Sequence, residues 1–187
     1  MLIIGIVVLL YWLIIYIVGY FSGFLMNSYQ RSFFGITKNI IYGFGYCKYI
    51  HNSDGIEQQL EVFVPKEDSC KVGILQLKNN TPNRKRLKLY YYIKPVIGED
   101  EIKSNSFINV EFDNNNNLIY ANNLYREEME KTKVYISSSE KIKSFTGNKK
   151  SFLGKGGVSD PDGLHHMRLD NDKGIGKKSC MAIELEI

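Results

Sequence analysis

Cysteine is scarce in this chain, with Cys47, Cys70 and Cys180 as its three representatives among 187 residues. An odd, widely spaced set without a CxxC pair rules out a disulfide framework and offers no zinc-ligand spacing. Free thiols suit a reducing cytoplasm, and each reads as a small buried hydrophobe. Histidine is equally sparse. His51 stands alone, and the neighbours His165 and His166 would point to opposite faces of an extended chain, so they would not share a metal. No serine or cysteine sits in a nucleophile elbow. No excess of one charge exists either: the net charge is +4. Arg84-Lys85-Arg86-Lys88 and Lys149-Lys150-Lys155 are offset by Glu99-Asp100-Glu101 and Glu127-Glu128. This mixed surface is not a nucleic-acid footprint, and the Arg84 cluster reads as a solvated turn between strands. The sequence calls for no cofactor or metal.

Charge is missing altogether from Leu2 to Met26. About 20 apolar residues match the roughly 30 Å hydrocarbon core of a bilayer as a helix. Tyr16, Tyr20 and Phe21 would suit its interfacial end, whereas Tyr11 and Trp12 fall in its middle. A signal peptide would have a basic start, a shorter apolar region and a cleavage site. A buried core helix of a soluble protein is the other alternative. The expected organisation is a single-pass transmembrane helix over 1–27 that meets lipid through residues 2–26, a linker over 28–40 and a domain over 41–187. Arg31 and Lys38 follow the run and nothing positive precedes it, which places the domain in the cytoplasm.

Beyond the apolar run the pattern is strand after strand. Ile56 to Val64, Val72 to Leu77 and Phe107 to Phe112 alternate apolar and polar residues, which is the period of a half-buried strand. Leu87 to Ile97 is the strongest run, with Leu87, Leu89, Tyr91 and Ile93 on one face. Lys88, Tyr90, Tyr92 and Lys94 lie on the other. Asp113 to Asn117 is a turn, because Asn and Asp bond their own backbone and tolerate left-handed geometry. Leu118 to Tyr120 and Lys133 to Ile136 are further strands, and Met181 to Ile187 is a half-buried one. Only Tyr125 to Lys131 suggests a short helix, and a loop ending is its plainer reading. Seven or eight short strands with regular turn signals and no βαβ rhythm predict a mainly β fold, an antiparallel sandwich.

Candidate binding residues are few. Phe152-Leu153-Gly154-Lys155-Gly156-Gly157 is glycine-dense, but it lacks the spacing and following helix of a phosphate loop. It reads as a close-packed loop or one that approaches a sugar or a partner domain. Tyr90 and Tyr92 could form a sugar-stacking platform, since such rings join apolar area to a polar tip. Alternation on a strand is their plainer explanation. Glu57 and Glu61 share a strand face, where carboxylates usually just meet solvent.

The order of motifs resembles the β-sandwich of glycoside hydrolase family 94, formerly glycosyltransferase family 36, most like the copy in cyclic β-1,2-glucan synthases. Gly43-Phe44-Gly45-Tyr46, Phe63-Val64-Pro65, Leu75-Gln76-Leu77-Lys78-Asn79 and Tyr91-Tyr92 come in the expected sequence. Ala121-Asn122, Thr146-Gly147, Phe152-Leu153-Gly154, Gly174-Ile175-Gly176 and Cys180-Met181-Ala182 complete it. The resemblance implies a galactose-mutarotase-like supersandwich that handles carbohydrate. In that family the sandwich precedes an (α/α)6 barrel that holds the catalytic residues. No barrel-length helical periodicity occurs here, so no catalytic residue carries over. Asn148-Lys149, Lys155 and Lys178-Ser179 depart from the family pattern, and Lys155 lacks the bidentate fork of the usual arginine. With the uncharged run before it and no barrel beside it, the resemblance leads to the expectation of a membrane-anchored, non-catalytic accessory sandwich whose partner is a β-linked glucan or a separate catalytic barrel. A subunit of a split enzyme and a truncated gene fragment are the alternatives.

Overall fold

The computed structural model describes residues 2–6, 14–19, 25–27, 38–98, 102, 105–125, 127–158, 160–176 and 179–187. Expectations resting on Tyr11, Trp12, Tyr20, Phe21, Arg31 and Lys178 lie outside these residues, as does most of the 28–40 linker.

Fourteen strands run among the described residues. They are β1 (Leu2–Ile6), β2 (Ile14–Gly19), β3 (Leu25–Asn27), β4 (Lys38–Tyr42), β5 (Tyr46–Ser53), β6 (Ile56–Phe63) and β7 (Lys71–Asn79). Then follow β8 (Leu87–Ile93), β9 (Ile108–Asp113), β10 (Leu118–Asn123), β11 (Lys133–Ser138), β12 (Ser144–Asn148), β13 (Gly174–Ile175) and β14 (Ser179–Glu186). Two short helices, α1 (Glu127–Glu130) and α2 (Lys149–Leu153), interrupt them. A nine-stranded sheet has the order β13-β9-β10-β11-β1-β7-β6-β5-β4, and a five-stranded sheet the order β12-β14-β8-β2-β3. Every pairing is antiparallel, as the short alternating runs predict.

Within 1–27, where a transmembrane helix is expected, the described residues form the strands β1, β2 and β3. Among the described residues no helix is long and apolar enough to cross a membrane. Instead β1 lies between β11 and β7, with Ile4 opposite both Ser138 and Gly73. β2 runs beside β8, with Ile15 opposite Tyr91, and β3 follows at the edge. Ile and Val suit a pleated strand at least as well as a helix. Neighbouring strands also satisfy backbone groups that a bilayer would force into a helix. A strand covered on both faces and a membrane helix both read as uninterrupted apolar sequence, so hydropathy alone does not separate them.

The main core fills the space between the sheets. Leu87, Leu89, Tyr91 and Ile93 of β8 and Met181, Ile183 and Leu185 of β14 meet Ile108, Val110, Ile119, Ala121 and Ile136 of the large sheet. Phe112 and Phe145 stack across the gap with centroids 4.4 Å apart. The turn after β9 is built as its composition demands. Asp113 accepts from the amides of Asn115 and Asn116 at 2.9 and 3.1 Å, and Asn117 takes φ 52°.

The small sheet is covered on its second face too. Residues 149–170 fold over it and bury Phe152, Leu153, Leu164 and Leu169 against Tyr90, Tyr92, Cys180 and Ala182. This cap corrects the reading of the last strand as half-buried: β14 is buried from Ser179 to Leu185, Glu184 included.

Candidate functional site

The expected binding residues part company at the cap. Tyr90, Tyr92 and Phe152 are 1%, 4% and 0% exposed. They therefore do not form an open sugar-stacking platform in this chain. Their side of β8 does face away from the main core, but the cap occupies it. Tyr92 and Phe152 stack on each other at 5.1 Å and 8°, so these rings spend their faces on packing. Burial also pushes the Tyr90 hydroxyl well above its ordinary range.

A buried polar network pins this cap. Lys88 Nζ lies 3.0 Å from Glu184 Oε1, and Ser144 Oγ donates to Glu184 Oε2. The Leu169 amide donates to Ser144 Oγ at 3.0 Å and to Glu184 Oε2 at 3.3 Å. Lys88 Nζ also donates to the Met167 carbonyl. A charge removed from water needs such partners.

Gly154 and Lys155 remain at the exposed rim of the cap. Asn148 caps α2, accepting from the amides of Lys150 and Ser151 at 3.0 and 3.4 Å. The helix then stops at Gly154, where φ is 53° and a Cβ would lie 1.8 Å from Asp162 Oδ2. Asp162 accepts from the amides of Lys155 and Gly156 at 3.1 and 3.3 Å, and these bonds hold its carboxyl below the usual range. His165 Nε2 lies 3.0 Å from Asp160 Oδ1. The loop is thus closed upon itself by carboxylates, and its backbone donors are already used.

A better-formed site lies on the outer face of the nine-stranded sheet. Alternation turns Ile119, Ala121 and Ile136 inward and leaves Asn109, Tyr120, Asn122 and Lys133 outward. Register sets Asn122 opposite both Asn109 and Lys133, and Tyr120 opposite Glu111. Helix α1 stands beside β10 and adds a wall. The result is an open cleft of about 430 Å³ lined by Asn109, Tyr120, Asn122, Glu127, Glu130, Lys131 and Lys133. Asn109 Nδ2 donates to Asn122 Oδ1 at 3.4 Å, and Asn122 Nδ2 to the Glu130 carbonyl at 3.4 Å. Lys133 Nζ sits 4.7 Å from the Tyr120 ring centroid. Lys131 lies 3.8 Å from Glu127.

Side-chain amides, carboxylates and a tyrosine around one cleft can bind a polyhydroxylated ligand, because amides and carboxylates supply paired donors and acceptors. Among the described residues the lining holds no serine, cysteine or histidine. Glu127 and Glu130 are exposed on α1, without the apolar surround of a proton-donating carboxylic acid. The sequence reading passed over these residues. Asn122 stood in the Ala121-Asn122 motif, but only the pairing of three strands brings it to Asn109 and Lys133.

Glu57 and Glu61 share the outer face of β6, as expected. Glu61 pairs with Lys48 at 3.2 Å, and Gln59 beside it donates to Gln76 at 3.2 Å. This is a solvated sheet face rather than a carboxylate pair set for chemistry.

Comparison with known proteins follows the same lines. The family model for the glycosyl hydrolase 94 supersandwich domain matches residues 30–187. The cyclic beta-(1,2)-glucan synthase NdvB of Rhizobium meliloti (strain 1021) is 22% identical over 148 residues, covering 78% of this chain and 5% of that protein. The matched region is thus about a twentieth of that relative's length.

Proposed function

Because this chain belongs to the glycosyl hydrolase 94 supersandwich family, we propose that it is a carbohydrate-binding accessory sandwich of a glucan-synthesising or glucan-cleaving system, without catalytic action of its own. The observation that carries this reading is the polar cleft of Asn109, Tyr120, Asn122, Glu130 and Lys133, which among the described residues has hydrogen-bonding groups and no serine, cysteine or histidine. The exposed Gly154–Lys155 rim of the cap is a second surface that a glucan or a partner domain would meet. Calorimetric titration of the full chain with β-linked gluco-oligosaccharides tests the reading. Saturable heat that α-linked oligosaccharides do not reproduce is the expected result. A flat titration across both series would remove the carbohydrate role.

One observation favours a second reading, a subunit that docks on a separately encoded catalytic barrel. The β4–β5 hairpin at the sheet edge leaves Ile40, Tyr42, Phe44, Tyr46 and Tyr49 exposed, with Val64 also open. Contiguous apolar surface of this kind is uncommon on a lone monomer. Co-purification with a barrel protein that is lost in a Tyr42→Ser, Phe44→Ser double variant would support docking there. Unchanged co-purification would exclude it.

A further inference from the structure

We propose that the outer-face cleft is the seat of an uncharged glucan segment and that Lys133 covers the Tyr120 ring until a sugar displaces it. This assignment rests on the carbohydrate reading above and names its seat, the charge class of its ligand and its gating residue.

The charge class follows from the lining. Among the described residues of the lining, Glu127 and Glu130 balance Lys131 and Lys133. The neighbouring pair of Glu111 and Lys173, 3.5 Å apart, also cancels. A sugar phosphate would call for a surplus of cations or a cradle of backbone N–H groups, and a cationic ligand for a surplus of carboxylates. A neutral polyol needs neither. Asn109 and Asn122 lie side by side in register. Asn122 is buried and bonded to Asn109 and to the Glu130 carbonyl, so it holds the half-buried Asn109 amide in place to meet hydroxyl groups. A volume of about 430 Å³ suits a short stretch of sugar residues rather than a folded partner.

The gate follows from the ring. A tyrosine that serves a sugar offers an open apolar face. At Tyr120 that position is taken by Lys133 Nζ, 4.7 Å from the ring centroid. Lys133 is exposed and adjoins the cleft floor through its pairing with Asn122. A cation held over a ring in water is weakly bound, so an incoming pyranose can displace it, and the freed ammonium can then donate to a hydroxyl or to solvent.

Calorimetry on the full chain and three variants tests this with neutral β-linked gluco-oligosaccharides and with glucose 1-phosphate. Tyr120→Ala should weaken glucan binding at least tenfold, and Tyr120→Phe should keep it within about twofold. Lys133→Ala should tighten it about two- to fivefold, the weight of an exposed cation–π contact. Glucose 1-phosphate should give no saturable heat. Lys133 is exposed, so its variant reads the gate without disturbing the core, and far-UV circular dichroism would confirm that Tyr120→Ala is folded. Glucan binding unchanged in Tyr120→Ala and lost in Lys155→Ala would place the ligand on the cap rim. That outcome overturns the cleft assignment and leaves the accessory role standing. Weaker binding in Lys133→Ala would overturn the gate, and tighter binding of the phosphate would overturn the neutral class. No glucan binding by the unaltered chain would defeat both readings together.

Discussion

A buried carboxylate, Glu184 at 2% exposure, joins the cap to the small sheet through Lys88, Ser144 and the Leu169 amide. Removing one partner of such a group strands the rest. Glu184→Ala should therefore cost about 3 kcal/mol in chemical denaturation. Phe152→Ala opens the apolar half of the same contact and should cost roughly 4 kcal/mol, by lost burial and the cavity left behind. Cys180 lies within this packing, and burial pushes its thiol far above the usual range. Cys47 and Cys70 are only half-buried. A thiol reagent at mild alkaline pH should titrate those two in the native chain and reach the third only after unfolding. Asp113 and Asp162 carry the acid dependence. Backbone N–H donors hold both carboxyls below their ordinary range, so the stability they supply is present above the unfolded carboxylate pKa and fades as pH falls. Asp162→Asn should lose less stability than the parent between about pH 5 and pH 3. Sequence put Tyr90 and Tyr92 on the opposite face of β8 from Leu87, Leu89, Tyr91 and Ile93, which holds, but that face is buried in a second apolar cluster instead of exposed. What covers that face comes from more than 55 positions later along the chain, beyond the reach of a period-two pattern.

Among the elements, the short alternating strands were legible because one face of each meets water: β6, β7, β9, β10 and β11 all begin within one residue of the expected position. The turn at Asp113–Asn117 was legible for a local reason, since Asp113 accepts from the Asn115 and Asn116 amides within it, whereas the bonds of Asn117 to Ser138, Glu140 and Ile142 come from far along the chain and were not legible. Strands β1 to β3 were read as a helix because an uncharged run satisfies the demands of a bilayer and of a sheet interior alike. Their placement makes a prediction that composition does not. Deleting residues 1–27 withdraws the strand between β11 and β7 and leaves two facing edges unpaired. Residues 28–187 alone should then lose amide-exchange protection in β7 and β11 and unfold with reduced cooperativity. Protection equal to that of the full chain would mean that β1 is dispensable. The cleft was illegible for the opposite reason. Each of its strands looked ordinary, and the site exists only through the register Asn109–Asn122–Lys133.

For the molecule as a whole, two sheets of unequal width leave different surfaces for different work. Strands β8 and β14 of the small sheet are buried on both sides. The large sheet keeps its outer face free, and there the amides, the tyrosine and the balanced charges gather. The hairpin beyond the small sheet's reach presents apolar side chains instead, a surface suited to another protein. The division between glucan at the cleft and protein at the hairpin is the central claim, and backbone amide shift mapping tests it most directly. On titrating the labelled full chain with a neutral β-linked gluco-oligosaccharide, shifts should concentrate at Asn109, Tyr120, Asn122 and Lys133, leaving Gly154, Lys155 and the β4–β5 hairpin unmoved. Shifts confined to the cap rim or the hairpin, with the cleft silent, would contradict it.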